Sequence, residues 1–313
     1  MPKANVNYKL KRVTFHPITN TMKNLLNKKS FNVILVLTSG ILWGLIGLFT
    51  TPLGEKGING ISIIAVRSML TAILLALVLL IIDKSLFKVR LRDLWRFAGM
   101  GIVSFAFFNL CYLKSMELNN SLGTACILMY TAPIFIMLLS ALLFKEKITP
   151  VKIICLALAI LGCALISGGG SVTPLGFIFG LGSGLGYGLY SIFSIYALRK
   201  YSFWTSTFYA FCFSALSLIP FCDWNKVTST AFTDGETALL FLGLALIITV
   251  LPYVIYTCGL KKVPPSEASV IACVEPLVAA LVGIFFYQQT MGILGITGML
   301  LVLTAVVILS YKK

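Results

Sequence analysis

Apolar residues run along this chain in long blocks, each closed by a short polar or charged punctuation. A helix needs roughly 17–25 such residues to cross the ~30 Å hydrocarbon core of a bilayer. Ten stretches qualify: Phe31–Thr50, Ile61–Ile82, Leu94–Lys114, Ser121–Phe144, Pro150–Ser167, Pro174–Leu198, Ser202–Phe221, Glu236–Leu260, Ser266–Tyr287 and Met291–Tyr311. The segments between them are mostly short and leave no room for a soluble catalytic domain.

The block pattern also repeats. At a constant offset Ser121–Ser167 falls over Pro264–Ser310, setting Ala125 on Ala268, Pro133 on Pro276, Leu138 on Leu281 and Ser167 on Ser310. A nearby offset lays Ser39–Gly44 over Ser183–Gly188. The chain therefore divides into a basic tail over residues 1–30 and two copies of five spans, residues 31–168 and 174–311. An odd number of spans per copy inserts the copies upside down relative to each other. The predicted fold is an all-α membrane protein, ten transmembrane helices in two inverted five-helix repeats, the construction of many secondary transporters.

Composition agrees, with 58% hydrophobic and 11% charged residues, far from the usage of a soluble globular chain. The net charge of +15 is topological rather than a sign of nucleic acid. With the N-terminus inside, 21 Lys/Arg fall in cytoplasmic segments and 3 outside, namely Lys56, Lys114 and Lys226, while Arg67 lies within a span. That bias puts both termini in the cytoplasm of a multi-pass inner-membrane protein, its basic loops against anionic lipid. The first thirty residues lack the apolar region of a signal peptide, so Phe31–Thr50 is an uncleaved first span. Met22 offers an alternative translation start just before it.

Chemistry-bearing motifs are few. Seven of the eight cysteines sit inside spans and Cys222 ends one; none forms CxxC, and the lone histidine, His16, is in the tail. Buried thiols, with no metal and no cofactor, are the expectation. Without HExxH, a Walker A sequence, or GxSxG backed by a histidine, neither an enzyme nor an ATP-driven pump is expected. Energy would come from the substrate's own gradient or from a coupled proton or sodium ion.

Polar groups inside apolar spans are the candidate site. Gly40 and Gly44 in span one recur as Gly180, Gly184 and Gly188 in span six, and glycine every four residues lets helices approach closely. Packing of spans one and six through these glycines would set Trp43 beside Tyr187. Tyr112, Tyr130, Tyr187, Tyr190, Tyr209, Tyr253 and Tyr256 lie mid-span, where a hydroxyl must find a partner or water. Of these, Trp43, Tyr112, Tyr130, Tyr187, Tyr190, Tyr253 and Tyr256 are the predicted lining of a substrate cavity, with Asn109 as a neutral polar group. Only Arg67 and Glu275 are ionisable well inside spans, and such charges mark functional sites or buried pairs. Arg67 is assigned to a gate or a structural anchor, Glu275 to structure or to a cation or proton. Pro133 and Pro276 supply bending points. Spans five and ten are expected outside the rocking bundles, where a second protomer could dock.

These residues carry a resemblance. Ser39-Gly40-Ile41-Leu42-Trp43-Gly44, Arg67, Ala125 with Ala132-Pro133, Phe144-Lys145-Glu146, Leu161-Gly162, Glu267-Ala268-Ser269, Glu275-Pro276 and Gly298 stand in the order and duplication seen in the drug/metabolite transporter superfamily. The chain resembles its EamA-like branch from Phe31 to Ser310. The resemblance implies a midplane cavity that opens alternately to either side and handles amino acids, other metabolites, amines or drugs. It also implies an acidic residue at both positions matching Glu146, yet the second copy has Gln289. Two substrates fit: an amino acid or related metabolite, exported, or a quaternary amine such as choline, taken up and held by cation–π attraction. A non-transporting membrane scaffold is the alternative from another class.

Overall fold

The computed structural model describes residues 28–168, 172–288, 290 and 292–311. The expectations for residues 1–27 of the basic tail, with His16 and Met22, and for Gln289 lie outside the described residues. Among the described residues nine helices are long and apolar enough to cross a membrane. They are α1 (Lys29–Glu55), α2 (Gly60–Ile82), α3 (Leu91–Asn119), α4 (Leu122–Phe144), α5 (Pro150–Ser167), α6 (Pro174–Leu198), α7 (Phe203–Phe221), α8 (Gly235–Gly259) and α9 (Pro265–Tyr287). A further apolar helix, α10 (Ile293–Tyr311), closes the chain. No strand occurs among the described residues.

Polar residues at the block edges set the helix starts. Asn59, Ser121, Thr149, Thr173, Ser202 and Asp234 each accept a hydrogen bond from a backbone N–H in the first turn, satisfying donors that the helix leaves unpaired. α3 starts three residues earlier and ends five later than the apolar block, its polar last turn closing at left-handed Asn120 (φ 46°). Hydropathy also missed the short helix Trp224–Thr233 between α7 and α8, capped by Asp223.

Two helices are broken at their prolines. Pro133 and Pro276 each lack an N–H, and the ring excludes the carbonyl four residues back. Those residues are Met129 and Ala272, and there the first segments of α4 (Leu122–Met129) and α9 (Pro265–Ala272) end. α1 is interrupted after Gly44, resuming at Gly47. α3 and α8 each contain a π-helical stretch, Gly99–Ala106 and Leu246–Val250.

The main packing crosses between the two halves of the chain. α1 lies against α8 and α9, α6 against α3 and α4, α2 against α7 and α8, and α5 against α10. This corrects the expectation that the glycines of spans one and six face each other. A methyl added at Gly40 would sit 3.0 Å from the Ala272 carbonyl oxygen, and one at Gly44 2.7 Å from that of Glu275, both in α9. At Gly184 it would sit 3.2 Å from the Met129 carbonyl oxygen, and at Gly188 3.4 Å from that of Ala132, both in α4. Each glycine face thus receives the proline-broken backbone of a helix from the other half. The physical reason is space: the Trp43 and Tyr187 rings, with centroids 6.3 Å apart, occupy the gap between α1 and α6.

Candidate functional site

Four helices converge where their regular geometry lapses. α1 brings Trp43, one residue before its interruption ends the first segment. α3 brings Ser104, Phe105 and Phe108, at and just after its π stretch. α6 brings Tyr187, Tyr190 and Ser191, and α8 brings Tyr253 and Tyr256, just past its π stretch and Pro252. Together these nine side chains line one cavity. A π turn holds an extra residue and re-aims the side chains that follow it. Ser104 Oγ donates to the Gly186 carbonyl at 2.7 Å and pins the π stretch of α3 onto α6.

The walls are rings. Trp43 meets Tyr253 at 5.0 Å and Tyr256 at 5.2 Å between centroids, Tyr190 meets Tyr253 at 5.0 Å, Phe105 meets Tyr253 at 5.6 Å, and Phe108 meets Tyr187 at 5.4 Å. Most are edge-on, presenting some rims and some faces to the space. That space is small, about 10 Å³, room for about one water molecule.

Several lining hydroxyls are already engaged. Tyr190 Oη pairs with Thr257 Oγ1 at 3.1 Å, and Tyr256 Oη with Ser191 Oγ at 2.8 Å. Trp43 Nε1 differs: it is a buried donor without a hydrogen-bond partner among the described residues. Behind Tyr187 stands Glu275, whose Oε2 accepts from the tyrosine hydroxyl at 3.3 Å. On the other side the Arg67 guanidinium, 5% exposed, lies 4.9 Å over the Phe105 ring, and its Nε has no hydrogen-bond partner among the described residues.

Of the residues singled out in the sequence, the fold gathers Trp43, Tyr187, Tyr190, Tyr253 and Tyr256 at the cavity, with Glu275 and Arg67 one side chain behind its walls. Asn109 is turned to its own helix and donates to the Phe105 carbonyl at 2.8 Å. Tyr112 pairs with Cys126 Sγ at 3.0 Å, and Tyr130 is buried at the break in α4. Pro133 and Pro276 sit just past the two helix breaks. Ser104, Phe105, Phe108 and Ser191 were not singled out. Ser191 follows Tyr190 directly, Phe108 directly precedes Asn109 and Phe105 stands one helical turn before it, so the neighbours of the polar residues were the available signal.

Charged clusters tie helices at both ends of the bundle. At one end Lys152 binds Glu146 at 2.5 Å and lies 3.6 Å from Glu267, which also holds Lys29 at 2.8 Å; Ser266 donates to Glu146. The start of α1, the α4–α5 turn and the start of α9 are joined there. At the other end Lys56 donates to Asp234 and, at 2.9 Å, to Glu236, linking the end of α1 to the start of α8. Lys56 is held above its ordinary value by these carboxylates, and Asp234 below its own by Lys56.

Comparison with known proteins bears on this arrangement directly. The model of the EamA-like transporter family matches residues 30–168 and again 174–311. The chain belongs to the EamA-like transporter family. Its domain is duplicated here, as the repeat in the sequence implied, and membership agrees with the drug/metabolite transporter superfamily. Two uncharacterized transporters of Archaeoglobus fulgidus are similar, one 29% identical over 67% of this chain and 74% of its own length, the other 27% identical over 90% and 99%. The uncharacterized inner membrane transporter YicL of Salmonella typhimurium is 24% identical over 93% of this chain and 96% of its own. A solved structure described only as the crystal structure of a protein superposes with a TM-score of 0.75 at 16% identity, covering 90% of this chain and 96% of that one, and so shares the fold. The family and these relatives point to a multi-pass membrane transporter.

Proposed function

We propose that this chain is a secondary active transporter that exports a small metabolite, an amino acid or related compound, across the cytoplasmic membrane by alternating access. The observation that carries the proposal is the composition of the cavity wall. It takes α1 and α3 from the first half and α6 and α8 from the second, helices at matching places in the duplicated sequence. A cavity at the seam of two equivalent halves can be exposed to either side by tilting one half against the other. The paired contacts of α1 with α9 and of α6 with α4 support two inverted five-helix repeats, ten spans with α10 counted, and residues 31–168 and 174–311 as the units.

The lysine and arginine bias supports cytoplasmic termini, which makes the Lys29–Glu146–Lys152–Glu267 cluster the inner closure and Lys56 with Asp234 and Glu236 the outer one. Both are formed in this conformation, in which the cavity has room for about one water. Cargo enters only when one cluster parts. Glu275 is the candidate for proton or sodium coupling, being a carboxylate beside the cavity at a helix break.

A second reading, uptake of a quaternary amine, is favoured by one observation: Trp43, Tyr187, Tyr253 and Tyr256 form a ring cluster of the kind that holds such cations. Thermal stabilisation of the purified protein by amino acids, choline-like amines and nucleobases separates the readings, since a ligand far above its Kd stabilises the fold by several RT. Stabilisation by amino acids that vanishes in Trp43→Ala supports export of that class. Stabilisation by quaternary amines alone transfers the cavity to the second reading, and an unchanged response in Trp43→Ala removes the cavity from either.

A further inference from the structure

The two intramembrane charges stand on different walls of the cavity, and neither is neutralised by contact. Among the described residues no carboxylate lies within ion-pair distance of Arg67, and no basic group within that distance of Glu275. Arg67 rests on Phe105; the titratable groups facing it are Tyr253 and, farther off, Glu275. Among the described residues Glu275 takes its one side-chain hydrogen bond from Tyr187. Phe105, Tyr253 and Tyr187 all belong to the cavity wall, so the rings lie between a positive and a negative group.

Resting on the transport reading above, we propose that the cavity selects its substrate by charge form: a zwitterion, with its anionic group toward Arg67 and Trp43 Nε1 and its cationic group toward Glu275. A lone cation would gain from Glu275 but share a low-dielectric space with Arg67, and a lone anion would meet the reverse penalty. A molecule carrying both charges offsets both. Trp43 Nε1 adds a directional element, because a buried donor without a partner is costly and an arriving carboxylate supplies the acceptor. The lining hydroxyls of Tyr190 and Tyr256 are committed to Thr257 and Ser191, which leaves the indole N–H as a free donor at the wall. The rings then take the uncharged part of the substrate, and the order of preference follows charge before side-chain shape.

Three series of near-isosteres that differ in charge form test this on the full-length purified protein by thermal shift. They are phenylalanine with phenethylamine and hydrocinnamate, leucine with isoamylamine and isocaproate, and serine with ethanolamine and hydracrylate. In at least one series the amino acid stabilises the protein, while its amine and acid act at least about tenfold more weakly, as expected when a buried polar group is left unpaired. Arg67→Gln narrows the gap to the amine and Glu275→Gln narrows the gap to the acid. Arg67→Lys keeps the positive charge and the discrimination, and serves where the glutamine variant does not fold. An amine that binds as tightly as its amino acid, with binding still dependent on Trp43, overturns the charge clamp and leaves the aromatic cavity standing. No shift from any of the nine compounds overturns the clamp and the cavity reading together.

Discussion

At the scale of single residues, the site combines groups that sequence can reveal with groups it hides. Trp43, Tyr187, Tyr190, Tyr253 and Tyr256 are legible because a hydrogen-bonding tip in the middle of an apolar span demands an explanation. Phe105 and Phe108 are hidden, since phenylalanine is an ordinary residue in a membrane helix and only the fold turns these two inward. The Tyr187–Glu275 hydrogen bond gives the clearest residue-level test. Tyr187→Phe keeps the ring and leaves the buried Glu275 carboxylate without its donor, so the protein's own stability falls by about 1.5–3 kcal/mol, the worth of a hydrogen bond to a charged group. Trp43→Phe is the converse: the indole N–H has no partner to lose among the described residues, so stability changes little while affinity for a carboxylate-bearing ligand falls by about 1.5–3 kcal/mol. Thermal denaturation reads the first and titration calorimetry the second, and unchanged affinity in Trp43→Phe would remove the indole from recognition.

At the scale of the helix, the ends of nine spans were readable to within a few residues, because leaving the apolar block and finding a cap coincide. The proline breaks were readable too, since Pro133 and Pro276 dictate interruption four residues back at Met129 and Ala272. The π stretches of α3 and α8 were not, because they arise from how those helices pack rather than from local composition. The glycine faces were visible but their partners were not, as a small-residue stripe fits any close neighbour. α1 supplies its own control for that point. Gly44→Ala forces a methyl against Val278 and the Glu275 carbonyl and costs about 1–3 kcal/mol in thermal denaturation. Gly47→Ala meets nothing within 4 Å and changes stability by no more than about 1 kcal/mol, in the favourable direction. Equal losses at both positions would sink the close-contact account.

At the scale of the whole molecule, the duplicated block pattern was the strongest message in the sequence, and closure at the two ends was the part it did not carry, because ion pairs between distant segments leave no local trace. The cluster of Lys56, Asp234 and Glu236 predicts a pH profile. Asp234 is held below its ordinary value by Lys56, so its contribution is present above that ordinary value and is lost as pH falls through the lowered one. Lys56 is held above 10.5, so its contribution is present below that value and is lost as pH climbs through the raised one. The alkylation rate of a cysteine placed at buried Ile58, divided by that of an exposed cysteine at the same pH so that thiol ionisation cancels, should therefore be low and flat across neutral pH and higher at both extremes, and Asp234→Asn should raise the neutral rate. A neutral rate unchanged by that substitution would show that the bridge does not restrain this end. The crossing of partners between halves has a further consequence, for biogenesis. The glycine face of α1 emerges from the ribosome more than two hundred residues before α9 is synthesised to cover it, whereas the broken backbone of α4 waits only for α6. During translation the first half must persist in the bilayer with one seam open, lipid or a chaperone standing in for α9. Two separately encoded halves should then find each other in the membrane and restore activity, while either half alone should be degraded.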